Sequence, residues 1–99
     1  MAEVIIHHET FDRAFKRLSK RYHSLNQDVE ELIDELEESP LLGVDLGRGV
    51  RKVRMAIASK GKGKSHGARV ITYTEAIVCA ANEVTVINLT IYDKANHDS

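Results

Sequence analysis

The sequence predicts an α+β domain with the element order β-α-α-β-β-β, in which two antiparallel N-terminal helices pack on a mainly antiparallel sheet. Two observations carry this prediction. Apolar residues recur at steps of three and four in the first 40 residues, and they alternate with polar residues in the second half of the chain. A chain of 99 residues can build one core, so we expect a single domain over residues 1–99.

An apolar run at residues 4–6 predicts a short strand, which two helices follow. The first helix is expected over residues 9–22, with Thr10 as its N-cap. Its apolar stripe consists of Phe11, Ala14, Phe15, Leu18 and Tyr22. The second helix is expected from about residue 27 to residue 38. It ends before Pro40, because the residue preceding a proline avoids helical geometry.

The two predicted helices carry opposite charge. Lysines and arginines cover the outer faces of the first helix, whereas aspartates and glutamates cover those of the second. The break between them, at residues 23–26, is short, and short connections favour antiparallel neighbours. Either the opposite charges attract across the pair, or they form two solvated faces, since surface ion pairs contribute only about 0–1 kcal/mol each.

After a loop at residues 41–49, alternation predicts the first strand of a three-stranded meander. Its apolar positions, expected to face the helices, are Val53, Met55 and Ile57. Successive side chains of a strand point to opposite faces of the sheet. We therefore expect Lys52 and Arg54 on the face away from the helices.

The other two strands of the meander are expected at residues 68–80 and 84–92, with a turn at Asn82. The apolar positions on one face of the last strand are Ile87, Leu89 and Ile91. If these three face the helices, alternation places Tyr92 on the opposite face, together with the basic residues of the first meander strand.

Positive charge is concentrated in one segment, although the net charge of the chain is only −1. Residues 47–74 contain no acidic residue and eight basic ones, which are Arg48, Arg51, Lys52, Arg54, Lys60, Lys62, Lys64 and Arg69. Alternation alone leaves the direction of Arg69 open, because Ile71 and Tyr73 share its parity. A concentrated positive field inside a near-neutral molecule favours a polyanion at one face.

The middle of this basic segment is a glycine-rich loop at residues 60–67, with the sequence Lys-Gly-Lys-Gly-Lys-Ser-His-Gly. Its glycines allow the backbone to approach a ligand closely. Its spacing differs from that of a nucleotide-binding P-loop, and no helix is predicted to follow it. His66 is either a proton-exchanging group near neutral pH or simply an exposed loop histidine.

Composition favours a globular protein of the cytoplasm. Apolar residues make up 42% of the chain and charged residues 29%, which is ordinary for such proteins. The one cysteine, Cys79, lies in an apolar run and predicts a buried thiol rather than a disulfide. The sequence contains no histidine pair with metal-site spacing, no signal segment and no membrane-length apolar run, so we expect no metal, no cofactor and no membrane association.

Three motifs make the chain resemble the RelE/ParE superfamily of type II toxin–antitoxin toxins, most closely its RelE/HigB-type messenger-RNA endonucleases. In chain order these motifs are Arg51-Lys52-Val53-Arg54, Gly63-Lys64-Ser65-His66-Gly67-Ala68-Arg69-Val70-Ile71 and Leu89-Thr90-Ile91-Tyr92-Asp93-Lys94. Two helices followed by a meander match the family as well. The resemblance spans essentially the whole chain and implies a RelE-like fold. One departure is His66, which stands where the family loop has glycine.

The resemblance implies an endoribonuclease, or mRNA interferase, that cleaves messenger RNA in the ribosomal A site without a metal and so inhibits translation. In that reaction the 2′-hydroxyl attacks the neighbouring phosphate, leaving a 2′,3′-cyclic phosphate and a 5′-hydroxyl. Cations must offset charge in the transition state, and an acid and a base must move two protons. Carried over by position, the candidate catalytic residues are Lys52, Arg54, Arg69 and Tyr92. The candidate RNA-binding residues are Arg51, Lys60, Lys62, Lys64, His66 and Lys94.

Within this resemblance we assign Arg54 and Arg69 to the phosphate. Lys52 is assigned to proton transfer or phosphate contact, and Tyr92 to base stacking or proton transfer. The implied partners are a cognate antitoxin protein and messenger RNA on the ribosome.

Two alternative functions stay open. A ParE-like toxin that inhibits gyrase has no need of this set of cations and tyrosine. A small RNA-binding module without catalysis would use the phosphate contacts of the basic segment. The chain is poor in the aromatic residues on which single-strand binding platforms rely.

Overall fold

The computed structural model describes residues 4–76 and 84–96, which form two helices and five strands. The elements are β1 (Val4–His7), α1 (Glu9–Arg21), α2 (Leu25–Glu38), β2 (Val44–Gly47), β3 (Val50–Met55), β4 (Ala68–Ala76) and β5 (Val84–Asp93). Single 3₁₀ turns lie at Ala58–Lys60, Lys64–His66 and Lys94–Asn96. The predicted α+β class is confirmed.

The strands form one sheet in the order β1-β5-β4-β3-β2. The first strand runs parallel to β5, and every other neighbouring pair is antiparallel. The sheet is therefore mainly antiparallel, as predicted. The N-terminal strand closes one edge of the meander, and β2 forms the other edge.

The first helix begins at Glu9, as predicted, but its cap and the start of the second helix differ from the prediction. The prediction of Thr10 as the N-cap of α1 is wrong, because His8 caps the helix and its Nδ1 accepts a hydrogen bond from the Thr10 amide at 3.0 Å. Rules that favour Ser, Thr, Asp and Asn overlook an imidazole in this role. The second helix starts at Leu25, two residues before the predicted position, because Leu25 is fully buried in the core.

Both helices lie on one face of the sheet and bury their apolar stripes against it. The helices contribute Phe11, Ala14, Leu25, Val29, Leu32 and Leu36 to the core, and the strands and their ends contribute Val53, Met55, Ile57, Ala68, Val70, Val86 and Ile91. The predicted orientation of Val53, Met55 and Ile57 is confirmed. Their alternation places Lys52 and Arg54 of β3 on the other face of the sheet, called the open face below.

The loop predicted at residues 41–49 contains an edge strand, which is a correction. β2 pairs antiparallel with β3, and Gly47 at the end of β2 and the turn residues Arg48 and Gly49 all have positive φ. Glycine adopts this left-handed conformation without the steric cost of a Cβ atom. Glycines that flank one residue between two alternating runs were the available signal for this hairpin.

The prediction that Ile87, Leu89 and Ile91 share one face of the last strand is also wrong. A bulge in β5 shifts the register, since Ile71 pairs with Thr90 and Thr72 pairs with Asn88, which leaves Leu89 as the extra residue. Val86 and Asn88 are buried before the bulge, and Ile91 and Asp93 are buried after it. Strict alternation fails because a bulge inserts one residue into the period of two.

Three sequence predictions fall on residues outside the described part of the chain. These are the last residues of the middle strand, at positions 77–80, the thiol of Cys79 and the turn at Asn82. Neither α1 nor α2, the helices of the described residues, is long and apolar enough to cross a membrane.

Candidate functional site

Strands β3, β4 and β5 place three of the predicted catalytic residues side by side. Arg54 pairs with Arg69 in the sheet register, and Arg69 pairs with Tyr92. Residues that pair across neighbouring strands point to the same face. Because Val53 and Val70, the chain neighbours of the two arginines, are buried under the helices, this row lies on the open face. The direction of Arg69, which alternation left open, is therefore away from the helices.

This row lines a pocket of about 310 Å³, called the open-face pocket below. Its lining residues are Val44, Leu46, Lys52, Arg54, Arg69, Tyr92 and Lys94. All four predicted catalytic residues and one predicted RNA-binding residue, Lys94, thus meet in one place. The lining contains four cationic side chains and no acidic one.

Arg69 is the most buried cation of the open-face pocket, with only 6% of its surface exposed. Its Nη1 donates to the carbonyl oxygens of Lys64 and Ala68 at 3.0 and 3.1 Å, and its Nη2 donates to that of Ser65 at 3.3 Å. These bonds fix the guanidinium beneath the glycine-rich loop. Arg69 therefore positions the loop as well as contributing positive charge to the pocket.

Arg54 is exposed and makes no ion pair within residues 4–76 and 84–96. It nevertheless lies directly opposite Arg69 in the sheet. Like charges at opposite positions of neighbouring strands destabilise a sheet. An anion bound between the two guanidinium groups would remove this repulsion.

The outer wall of the open-face pocket is apolar and was missed by the sequence analysis. Val44 and Leu46 on the edge strand β2 are 58% and 53% exposed and line the pocket, and Val44 is the cross-strand neighbour of Lys52. The signal was present, since the two residues alternate with Asp45 and Gly47 in the sequence. The pocket therefore offers an apolar surface beside four cations that can contact a phosphate.

A buried carboxylate holds the ends of the glycine-rich loop together, and it too was missed. Asp93, which is 1% exposed, accepts hydrogen bonds from Lys60 Nζ at 2.6 Å, from the Tyr22 hydroxyl at 2.5 Å and from the Ala95 amide at 3.0 Å. Lys60 Nζ also donates to the carbonyl oxygen of His66 at 2.9 Å. We call Asp93, Lys60 and Tyr22 the clamp. It ties the loop to the end of β5, one residue from Tyr92.

The clamp shifts the pKa values of two of its members. Burial raises the pKa of the Asp93 carboxyl, but the hydrogen bonds from Lys60, Tyr22 and the Ala95 amide outweigh burial and hold that pKa below its ordinary value. The hydrogen bond to Asp93, together with burial, raises the pKa of the Tyr22 phenol. Asp93 is therefore ionised and Tyr22 protonated at neutral pH.

A second pocket, of about 430 Å³, lies beside the clamp and is called the loop pocket below. Its lining residues are Tyr22, Lys60, Lys62, Ser65, His66, Lys94 and Ala95. Four of the predicted RNA-binding residues, Lys60, Lys62, His66 and Lys94, are thus gathered here, and the first three of them do not line the open-face pocket. Lys94 lines both pockets.

The structure places the other two predicted RNA-binding residues outside both pockets. Lys64 Nζ lies 3.2 Å from a carboxylate oxygen of Glu35 on α2. Arg51 pairs with the buried Thr72, so it has the parity of the helix-facing residues and points away from Lys52 and Arg54.

The open-face pocket combines the groups that phosphoryl chemistry on RNA requires. Its arginines and lysines can hold a phosphate and offset charge that develops on it. The phenol of Tyr92 and the ammonium of Lys52 are groups that can exchange a proton. Among the described residues, no group of three His, Cys, Asp or Glu side chains is placed to hold a metal ion.

Comparison with known proteins adds no assignment to this geometry. A scan against known protein families found none that matches the chain, and a search of the curated proteins found no match either. The candidate site therefore rests on the residues that the fold brings together.

Proposed function

We propose that this chain is a RelE-like toxin of a type II toxin–antitoxin system that cleaves messenger RNA on the ribosome. The observation that carries the proposal is the row of Arg54, Arg69 and Tyr92 across three strands, in a pocket that Lys52 and Lys94 complete. The motifs that resemble the toxin family are the same segments that supply these five residues.

In the proposed reaction, the substrate's 2′-oxygen attacks the adjacent phosphorus as its proton leaves. The bond from phosphorus to the 5′-oxygen breaks, and that oxygen takes up a proton. Arg54 and Arg69 hold the non-bridging phosphate oxygens, whose negative charge grows in the transition state. Lys52 and Tyr92 are the candidates for the two proton transfers. The products are a 2′,3′-cyclic phosphate and a 5′-hydroxyl.

The proposed partners follow from the same surface. Messenger RNA supplies the polyanion, and the ribosome presents it. A cognate antitoxin neutralises the toxin by covering the open-face pocket or by displacing RNA from it. An acidic or amphipathic segment suits this role, because the lining of the pocket is basic and its outer wall is apolar.

The test compares Arg54→Ala with Lys20→Ala, which removes the same charge from an exposed position on α1. Induction of the unaltered protein or of the Lys20 variant should stop translation and leave transcripts with 5′-hydroxyl ends, mapped by primer extension. Arg54→Ala should slow cleavage by about two to three orders of magnitude, the usual effect of losing a donor to a transition-state oxyanion.

Three results would contradict the proposal. Full activity of a folded Arg54→Ala variant would remove the pocket from the reaction. Growth arrest with intact transcripts and altered DNA supercoiling would favour the gyrase-inhibiting alternative. Binding of RNA without cleavage, even with ribosomes present, would favour the non-catalytic RNA-binding module.

A further inference from the structure

We propose that the loop pocket is a second phosphate site, which holds a backbone phosphate of the same RNA strand beside the one at the open-face pocket. This inference rests on the proposed function, which supplies the strand. It assigns Lys62, His66 and Lys94 to a subsite of their own.

The loop pocket is positively charged because none of the described residues that line it is acidic, and because the buried carboxylate of Asp93, which hydrogen-bonds to three of its lining residues, is already neutralised. Both carboxylate oxygens of Asp93 accept hydrogen bonds, and Lys60 lies 2.6 Å from one of them. The charge of Lys60 is thus neutralised by Asp93 within the clamp. Lys62 and Lys94 remain as the cations of the lining, and His66 adds a third positive charge when it is protonated.

Several further features suit a phosphate. The pocket is about 430 Å³ and includes the side chain of Ser65, whose hydroxyl can donate to a phosphate oxygen. The loop is fixed and not free to collapse into the pocket, because Arg69 donates to the carbonyls of Lys64 and Ser65 and Lys60 donates to that of His66. The cations are therefore held around a preformed space.

Continuity with the open-face pocket favours RNA as the ligand. Lys94 lines both pockets, so an anion in one is next to an anion in the other. A nucleic-acid strand carries a phosphate at every nucleotide, and a strand that crosses Lys94 would present successive phosphates to the two sites. A free phosphate or a single carboxylate would fill one pocket without using this continuity.

The test uses Lys62, which is exposed and lines the loop pocket but not the open-face pocket. The probes are two RNAs with 2′-O-methyl groups, which cannot be cleaved by 2′-oxygen attack. One is a dinucleotide with a single phosphate, which the four cations of the open-face pocket should take. The other is a hexanucleotide, long enough to reach both pockets.

Lys62→Glu should weaken binding of the hexanucleotide by about tenfold and reduce the slope of log affinity against log salt by about 0.7, the value for one phosphate of a single strand. It should leave binding of the dinucleotide unchanged. The control Lys20→Glu changes the net charge equally and should alter neither. In NMR spectra, the hexanucleotide should change the backbone amide chemical shifts of residues 62–66, whereas the dinucleotide should not.

The result separates this inference from the proposed function. Arg54→Ala should weaken the binding of both RNAs. If it weakens the binding of neither, the proposed function fails. If Arg54→Ala weakens the binding of both RNAs while Lys62→Glu weakens the binding of neither, only the phosphate site at the loop pocket is overturned. If Lys62→Glu and Lys20→Glu lose affinity for the hexanucleotide equally, the effect comes from net charge alone and the inference is overturned. Polyglutamate serves as a third probe, for an acidic protein partner. If Lys62→Glu loses binding of polyglutamate but keeps binding of both RNAs, the loop pocket binds protein instead and the inference is overturned.

Discussion

Asp93 shows how much a single buried charge controls in this molecule. Its side chain is inaccessible to solvent, and that of Lys60 is 15% exposed. A buried ion pair contributes little net stability when it is complete, but removal of one partner leaves the other charge buried and uncompensated. The clamp therefore makes the position of the glycine-rich loop depend on Lys60.

We expect Lys60→Met to lower the free energy of unfolding by about 3 kcal/mol, the low end of the range for a buried pair, because Lys60 keeps some contact with water. The matched control is Lys64→Met, which breaks the exposed ion pair with Glu35 and should cost less than about 1 kcal/mol. Urea unfolding at pH 7 measures both. Equal costs for the two variants would show that the clamp does not hold the loop.

The pKa of Asp93 makes part of the stability depend on pH. A carboxyl whose pKa is lower in the folded than in the unfolded chain stabilises the fold above the unfolded pKa, about 3.9. This stabilisation is complete above about pH 5 and is lost as the pH falls through the lower, folded pKa. Urea unfolding between pH 6 and pH 3 measures this loss. The free energy of unfolding of Asp93→Asn should lack the part of the decrease that protonation of Asp93 causes. The same pH dependence in both proteins would contradict the assignment.

Among the elements, the glycine-rich loop is positioned most tightly at its end. A Cβ atom at Gly67 would lie 2.0 Å from the carbonyl oxygen of Met55, at the end of β3. At Gly61 a Cβ atom would meet nothing within 4 Å, although the positive φ of 70° still disfavours a side chain there. Backbone packing therefore requires glycine at position 67, whereas conformation alone favours it at position 61.

This difference predicts that Gly67→Ala is far more damaging than Gly61→Ala. The first should cost about 3 kcal/mol or more, since neighbouring backbone must move, and the second about 1–2 kcal/mol for the left-handed conformation. Thermal or urea unfolding of the two variants gives the comparison. If Gly67→Ala is the milder change, the loop does not pack against β3 as described.

At the scale of the whole molecule, the distribution of charge matters more than its sum of −1. The fold does not use the basic segment as one surface. Lys60 belongs to the clamp, Lys64 pairs with Glu35, and Arg51 has the parity of the helix-facing residues. Five cations are left for RNA, which are Lys52, Arg54, Arg69 and Lys94 of the open-face pocket together with Lys62, whereas Arg48 lies between β2 and β3, outside both pockets.

This division limits the salt dependence of RNA binding. Each phosphate neutralised on a single strand contributes about −0.7 to the slope of log affinity against log salt. If each of these five cations neutralises one phosphate, the slope is about −3.5, whereas Lys94 together with all eight basic residues of the segment would give about −6. Fluorescence anisotropy with an uncleavable RNA over a range of salt concentrations measures the slope. A value near −6 would mean that the internal ion pairs open when RNA binds.

Much of the site could be predicted from the sequence, because its elements follow local rules. The alternation of β3 places Lys52 and Arg54 on the face away from the helices, and the period of the helices identifies the side that they cover. Residues of the open face that depend on one uninterrupted strand were therefore predictable. The predicted face of Tyr92 is right because Tyr92 directly follows the buried Ile91, whereas the part of the argument that used Ile87 fails because the bulge lies between these two residues.

The tertiary structure decided the rest, because it depends on contacts between segments that are distant in the chain. No local pattern shows that Asp93 meets Lys60 and Tyr22, or that the bulge at Leu89 keeps Ile91 in the core. Strand register alone brings Arg54 opposite Arg69, and the edge strand β2 alone adds an apolar wall to their pocket. The sequence by itself thus determined which residue types are present and which face each strand offers, whereas long-range pairing determined which of them share a pocket.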